Sequence, residues 1–156
     1  FPLVNCADLC YPRENACQRG ADTLMKIYES AEDYLEAILV LRECIGLVRS
    51  IDVVNELGYS KPSVSVAMKK LRENGYVVVD GEGHIRLTED GEAIASRVYS
   101  RHRLLTQFFI RLGVSPEVAA ADACKIEHDL SEETFEKIKA HAQQHGGTFE
   151  TEHPET

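Results

Sequence analysis

The chain lacks the features that define membrane and secreted proteins. Its 156 residues contain no apolar run near the roughly 20 residues that a membrane-spanning helix needs, so we expect no membrane partner. The five cysteines are odd in number, and three lie within the first 17 residues. That pattern does not fit the disulfide framework of a small secreted domain. We therefore expect a cytoplasmic protein with Cys124 as a reduced thiol.

Positive charge is also scarce, with 17 Lys and Arg against 26 Asp and Glu and a net charge of −9. This balance argues against a general binder of polyanions. The stretch from Ser60 to Arg72 is the exception, because it contains four basic residues and no acidic one. An acidic protein with one basic helix can still bind DNA through that helix.

No catalytic motif is evident. A metallohydrolase would need an open coordination position and a base near the bound substrate, and the sequence has no nucleophile–base pair and no phosphate-binding loop. We predict that the chain is not an enzyme and has no small-molecule substrate.

The pattern along the chain divides it into four segments. Residues 1–24 have neither a helical nor a strand period and are predicted to be a disordered or non-native leader, and residues 145–156 a flexible tail. Between them we expect a DNA-binding domain over residues 25–91 and a helical domain over residues 92–144. The helical period is clear from Ser30, which with Asp33 fits a capping box.

Residues 50–87 predict a winged helix-turn-helix. A short helix over Ile51–Leu57, capped by Ser50, is followed by a glycine turn and a second helix that Ser60 caps. Tyr76–Val79 and His84–Leu87 flank a glycine-rich turn and predict a β-hairpin wing. Two helices and a wing in this order are typical of DNA-binding proteins.

The outward face of the second helix carries the groups that DNA recognition uses. Hydroxyls reach phosphates or base edges, lysines neutralise phosphates, and a valine can contact a thymine methyl group. The candidate residues are Ser60, Ser63, Ser65, Val66, Lys69 and Lys70. The alternative is that they only decorate a solvent-exposed face.

The rest of the chain predicts three helices. Thr88 caps a long helix to about Arg111, Pro116 begins a second that ends at Cys124 or His128, and Ser131 caps the last. The inner face of the last helix is predicted to carry Phe135, Ile138 and Ala142.

Potential metal ligands recur at helical spacing. Cys124, Glu127 and His128 share a helix face because positions three and four apart are neighbours, and thiolate, carboxylate and imidazole all bind divalent metals. Asp33 and Glu36 share a face of the first helix, and His102 lies on the long helix. The alternative is a network of structural charges.

These motifs together resemble the diphtheria-toxin-repressor family of metal-dependent transcriptional regulators, and most closely its short, manganese transport regulator branch. The segments that carry the resemblance are Ser30–Glu36, Ser60–Ser65, Leu87–Gly91, Arg101–Leu105 and Ile126–Ser131. The resemblance implies a mostly α fold, with an N-terminal winged helix-turn-helix followed by an all-helical metal-binding and dimerisation domain.

By position, the resemblance implies metal ligands at Asp33, Glu36, His102, Cys124, Glu127 and His128. It adds Lys61 and Pro62 to the DNA-contacting residues, and it implies a homodimer formed through residues 92–140. Candidate interface residues are Leu104, Leu105, Phe108 and Phe109, for which core packing within one subunit is the alternative.

The expected function is a repressor of metal-uptake genes that binds double-stranded operator DNA when Mn²⁺ or Fe²⁺ is bound. Cys124 departs from the manganese branch, which usually has Glu there, and a thiolate makes Co²⁺ or Zn²⁺ possible substitutes. The alternative is a metal-independent winged-helix regulator that senses a small molecule or the oxidation of Cys124.

Overall fold

The computed structural model describes residues 25–145, with side chains from Ser30 onward. The predictions for the leader, and for the tail beyond His145, lie outside the described residues. Within the described range, no helix is long and apolar enough to cross a membrane. The elements in chain order are α1 Met25–Ile45, β1 Val48–Arg49, α2 Ser50–Leu57, α3 Lys61–Glu73, β2 Val77–Val79, β3 His84–Leu87, α4 Glu89–Arg111, α5 Pro116–Ile126 and α6 Glu132–Gln144.

The chain divides into two compact units at Arg97 and Val98, within α4. The first unit contains α1 to α3, the sheet and the start of α4. The second contains the rest of α4 with α5 and α6. The boundary predicted from the sequence lies between residues 91 and 92, also within α4.

The first unit is a winged helix-turn-helix, as predicted. β3 is the central strand of an antiparallel sheet with the order β1-β3-β2, in which Val79 and Val48 both pair with Ile85. The β1 strand was not predicted, because two residues are too few to show a strand period. α1 packs on α2 and on β3, and its buried apolar side chains form much of the core of this unit.

Two predicted helix caps are wrong. α1 begins at Met25, so Ser30 lies inside the helix and does not cap it. Ser50 is the first residue of α2, and Arg49 is the N-cap, with its backbone N–H donating to Oδ2 of Asp52 at 2.8 Å. In both cases the helix begins before the first residue of the apolar pattern from which its start was predicted.

The turn between α2 and α3 matches the prediction. Gly58 has a φ of 66°, a left-handed conformation that glycine adopts without steric cost. The Ser60 hydroxyl accepts a hydrogen bond from the Ser63 backbone N–H at 3.3 Å, and Pro62 lies in the first turn of α3. Val64, Met68 and Leu71 are buried. The opposite face of α3 is therefore left toward solvent.

The start of α4 is tied to the rest of the first unit by specific contacts. The Thr88 hydroxyl accepts from the Gly91 backbone N–H at 3.2 Å, which confirms the predicted cap. Arg42 of α1 forms a bidentate ion pair with Glu92, with hydrogen bonds of 2.6 and 2.7 Å. The Thr88 hydroxyl also donates to the Gly75 carbonyl at 2.7 Å, so the start of α4 is fixed against both α1 and the loop before the wing.

The second unit is built on three helices, and the helix start predicted at Pro116 and the cap predicted at Ser131 are confirmed. Leu104 of α4 packs against Phe135 and Ala142 of α6, with Phe108 and Ile138 at the edge of the cluster. The predicted inner face of α6 is therefore correct. α5 ends at Ile126, so Glu127 and His128 follow the helix rather than lie within it.

We predict that Gly91→Ala destabilises the protein by about 1–3 kcal/mol, the usual range for overpacking. A methyl group at Gly91 would lie inside contact distance of the Tyr76 carbonyl oxygen and 3.0 Å from its carbonyl carbon. Neither backbone segment can move without disturbing the helix start or the wing. Chemical denaturation of the two proteins measures the difference in unfolding free energy.

Gly81→Ala is the matched control, because a methyl group there meets no heavy atom within 4 Å. Its unfolding free energy should stay within about 0.5 kcal/mol of the parent. Equal stability of the Gly91 and Gly81 variants would contradict the packing at α4.

Candidate metal centre

A carboxylate is buried at the end of α5. Glu127 is only 1% exposed and serves as the C-cap of the helix, with its backbone N–H donating to the Ala123 carbonyl at 3.0 Å. The chain then turns, as the backbone N–H of Leu130 donates to the Ile126 carbonyl at 3.1 Å. A buried charge is costly unless partners compensate it, so the neighbours of this carboxylate decide what it does.

Two imidazoles face the Glu127 carboxylate. Nδ1 of His102, from α4, lies 2.8 Å from Oε2, and Nε2 of His128 lies 3.4 Å from Oε1. The His128 contact is too poorly formed to count as a hydrogen bond, and buried Oε1 has no hydrogen-bond partner in the described part of the chain. The three side chains therefore leave one buried acceptor atom unsatisfied.

The Glu127 carboxyl is ionised at neutral pH. Burial raises its pKa, but the hydrogen bond from His102, the contact with His128 and the charges of both imidazoles lower it, to about 2. Because this pKa lies below its usual 4.5, the ionised carboxylate contributes to stability above pH 4.5. In the metal-free protein that contribution is lost as the pH falls from about 4.5 towards 2.

Arg101 holds the turn that carries these ligands. Its Nη1 donates to the carbonyl oxygens of Glu127 at 3.2 Å and Leu130 at 3.3 Å. Its Nη2 pairs with Glu132, and the guanidinium lies over the Phe135 ring, 5.0 Å from the centroid. The role of Arg101 is not evident from the sequence, because two of its partners are backbone carbonyls.

The remaining candidate ligands differ in their surroundings. In the first unit, Glu36 is buried, at 1% exposed, and Asp33 is half-buried one turn before it on α1. In the second unit, Cys124 is half-buried and is not disulfide-bonded. Within the described residues, Cys124 joins no group of closely spaced donor atoms. Cys44 is disulfide-bonded, which departs from the expectation of reduced cysteines.

The donor set that the second unit assembles fits a divalent cation. It combines two imidazoles with an ionised carboxylate, and one carboxylate oxygen is buried without a hydrogen bond. Imidazole and carboxylate ligands suit Mn²⁺ and Fe²⁺. His102, Glu127 and His128 could therefore hold such an ion.

The predicted DNA-contacting residues all lie on an exposed surface, at the start of α3 and along its outer face. Val66 is 55% exposed, which is unusual for a valine and leaves it available for apolar contact. The exposed set is Ser60, Lys61, Pro62, Ser63, Ser65, Val66, Lys69 and Lys70. Exposure is what the prediction requires, and DNA contact itself stays a prediction.

The four predicted dimer-interface residues separate into two kinds. Leu104 and Leu105 are 3% and 0% exposed, so they pack in the interior of the subunit. Core packing was the alternative to an interface role for these residues. Phe108 and Phe109 are half-buried, with ring centroids 6.1 Å apart. Only the two phenylalanines retain surface for a partner, because apolar period alone does not separate a core face from an interface.

Two known protein families match consecutive segments of the chain. Residues 26–85 match the N-terminal DNA-binding domain of the iron-dependent repressors, and residues 88–145 match their metal-binding and dimerisation domain. The transcriptional regulator MntR of Salmonella typhimurium is 37% identical over 122 residues, or 78% of each chain. MntR of Geobacillus kaustophilus is 37% identical over 109 residues, covering 70% of this chain and 77% of that protein.

Solved structures agree with these matches. A manganese-dependent transcriptional repressor in complex with manganese superposes with a TM-score of 0.66 at 30% identity, over 72% of this chain. The manganese regulator SloR superposes with a TM-score of 0.64 at 28% identity, over 71% of this chain. The chain spans 52% of the length of each of these two structures.

We predict that His102→Gln raises the pKa of the Glu127 carboxyl in the metal-free protein. The change removes the imidazole that lies closest to the carboxylate, while the burial that raises the pKa remains. Titration of the Glu127 carboxyl carbon by NMR measures the shift. His141→Gln is the control, because that imidazole lies on α6 and is exposed. An unchanged Glu127 pKa in the His102 variant would contradict the assigned contact.

Proposed function

This chain belongs to the iron-dependent repressor family of metal-dependent transcriptional regulators, and we propose that it represses metal-uptake genes as a homodimer that binds operator DNA when Mn²⁺ or Fe²⁺ is bound. The matched families and relatives are regulators rather than enzymes, in line with the lack of a catalytic motif. The division of the chain into a DNA-binding and a metal-binding domain supports a coupling of the two activities.

One observation carries the metal part of the proposal. The Glu127 carboxylate is buried and ionised, and its Oε1 accepts no hydrogen bond within the described residues. Such an atom is expensive to bury unless a cation compensates it. His102 and His128 provide nitrogen donors beside it.

We assign Asp33 and Glu36 of α1 to the same site. Both are half-buried or buried carboxylates on a helix of the DNA-binding unit, and the resemblance to metal-dependent regulators supports the assignment. A bound divalent ion supplies the positive charge that these carboxylates need in order to share one volume. Cys124 is the sixth candidate, and its participation would move the preference towards Co²⁺ or Zn²⁺.

The proposed DNA-reading element is α3. Its outer face presents hydroxyls and lysines without an acidic residue before Glu73, and Val66 is exposed beside them. A helix of this kind enters the major groove, where the hydroxyls contact phosphates and base edges and the lysines neutralise phosphates. The β2–β3 hairpin then lies near the DNA backbone.

Gating follows from the assignment of ligands to both units. Asp33 and Glu36 belong to the unit that carries α3, and His102, Glu127 and His128 belong to the other. Without a cation, the carboxylates repel one another and do not hold the units together. When one ion binds ligands from both units, the two DNA-binding units of a dimer are fixed at a spacing of about one turn of DNA. A change in DNA affinity of about 5 to 150-fold needs only about 1–3 kcal/mol of coupling.

The alternative function is a regulator that responds to oxidation of Cys124 rather than to a metal. The thiol is half-buried and not disulfide-bonded, and it belongs to neither group of three closely spaced donors found in the described residues. In that case the charges around Glu127 would be structural, and DNA binding would not depend on them.

We predict that Glu127→Gln removes the stimulation of DNA binding by Mn²⁺ or Fe²⁺. The amide keeps the shape of the side chain but lacks the charge that compensates the cation. Fluorescence anisotropy with a duplex selected by the metal-loaded protein measures the DNA affinity. The parent should bind about 5 to 150-fold more tightly with metal than without, and the variant equally in both states.

Glu136→Gln is the matched control, because Glu136 is exposed on α6 and pairs only loosely with Lys139, at 3.4 Å. It should retain the full metal effect. A Glu127 variant that responds to metal like the parent would refute the proposed function. If Cys124→Ser alone abolished regulation in metal-free buffer, the oxidation-sensing alternative would be favoured.

A further inference from the structure

Two histidines lie one helical turn apart at the carboxyl end of α6. His141 and the C-cap His145 are both exposed, and their rings stack with centroids 4.2 Å apart and 27° between the planes. Positions four apart share one face of a helix, so both rings occupy the same small volume at the surface of the second unit. The metal centre described above uses neither of them.

A hydrogen bond fixes the tautomer of one ring. Nδ1 of His145 lies 3.1 Å from the backbone carbonyl oxygen of His141, and a carbonyl can only accept. Nδ1 therefore carries the hydrogen, and Nε2 of the neutral ring keeps its lone pair. Histidines that bind metals commonly donate the other ring N–H to a carbonyl or carboxylate in this way.

The second ring is held from another side. The His141 imidazole meets the edge of the Phe108 ring at 6.4 Å between centroids and 79° between planes. Among the side chains described, from Ser30 to His145, none hydrogen-bonds to its ring nitrogens. His141 is therefore positioned by packing while its nitrogens stay available.

We infer that His141 and His145 form a second cation site, which takes one borderline divalent ion of the class of Ni²⁺, Cu²⁺ or Zn²⁺. Two histidines at i and i+4 on one helix face are the spacing that helical zinc motifs use. The pair offers imidazole nitrogens only, which favours these ions over Mn²⁺, an ion that prefers carboxylate oxygen. Bonds of about 2.0–2.1 Å from one ion to both nitrogens require the two side chains to turn out of the stacked arrangement, so that the lone pairs converge on the ion.

The two sites are chemically complementary. The centre at Glu127 combines carboxylate with imidazole, whereas the pair on α6 has imidazole alone, so the two select different ions. The inference stands on the contacts of α6 and does not depend on the proposed function. A cation at the pair would also tie the last turn of α6 to the turn before it.

The test is calorimetric titration of Ni²⁺ into the full chain carrying Glu127→Gln, which removes the central carboxylate of the first site. Adding His145→Gln should weaken Ni²⁺ binding by at least about tenfold at one site. A spacing variant combines His145→Gln with Gln143→His, so that the number of histidines is kept while the four-residue separation is lost. It should weaken binding to the same extent.

Gln143→Ala is the control variant and should leave the Ni²⁺ isotherm unchanged. In a second control, titration with Mn²⁺ in place of Ni²⁺ should leave the histidine pair empty. The inference is overturned if the Glu127 variant binds no Ni²⁺. It is equally overturned if His145→Gln binds Ni²⁺ as tightly as its parent, or if the spacing variant does. Far-UV circular dichroism of each variant shows whether α6 is still folded, so a loss of binding is read only from folded protein.

Discussion

The structure depends on one costly arrangement, which is an ionised carboxylate buried between two imidazoles. Glu127 is almost fully inaccessible to water, and its pKa is lowered to about 2 by His102 and His128 against the effect of burial. A protein interior tolerates such a group when its oxygens are compensated. Here one oxygen has a partner at 2.8 Å, and the other has no hydrogen bond within the described residues.

The framework around this carboxylate keeps it in place. Arg101 binds two carbonyls of the turn that follows α5, pairs with Glu132 and stacks on Phe135, so a single side chain joins α4, the ligand turn and α6. The first unit is held in a similar way by the ion pair between Arg42 and Glu92. Contacts of this kind keep the ligand side chains in position when no cation is bound, so that the cluster is ready to bind one.

Much of the fold was predictable because local chemistry specifies it. Gly58 requires a left-handed turn, and Ser60, Thr88 and Ser131 cap helices with side-chain oxygens, as predicted. The caps at Ser30 and Ser50 were wrong, since the helices begin before the apolar period becomes visible. β1 was missed because its two residues owe their strand conformation to pairing with β3.

The candidate site was predictable in its residue types but not in its geometry. Spacing along a helix placed Cys124 with Glu127 and His128, yet α5 ends at Ile126 and the thiol joins no close donor group in the described residues. The role of Arg101 depends on backbone carbonyls, which no sequence pattern reveals.

The most direct test of the central claim is reciprocity. If a cation held at Glu127 strengthens DNA binding, then DNA must strengthen cation binding by the same factor, because both changes express one coupling free energy. Mn²⁺ affinity should therefore be measured by calorimetry with and without saturating selected duplex. We expect an increase of about 5 to 150-fold that matches the metal-induced gain in DNA affinity. Equal Mn²⁺ affinities in the two titrations would contradict the account.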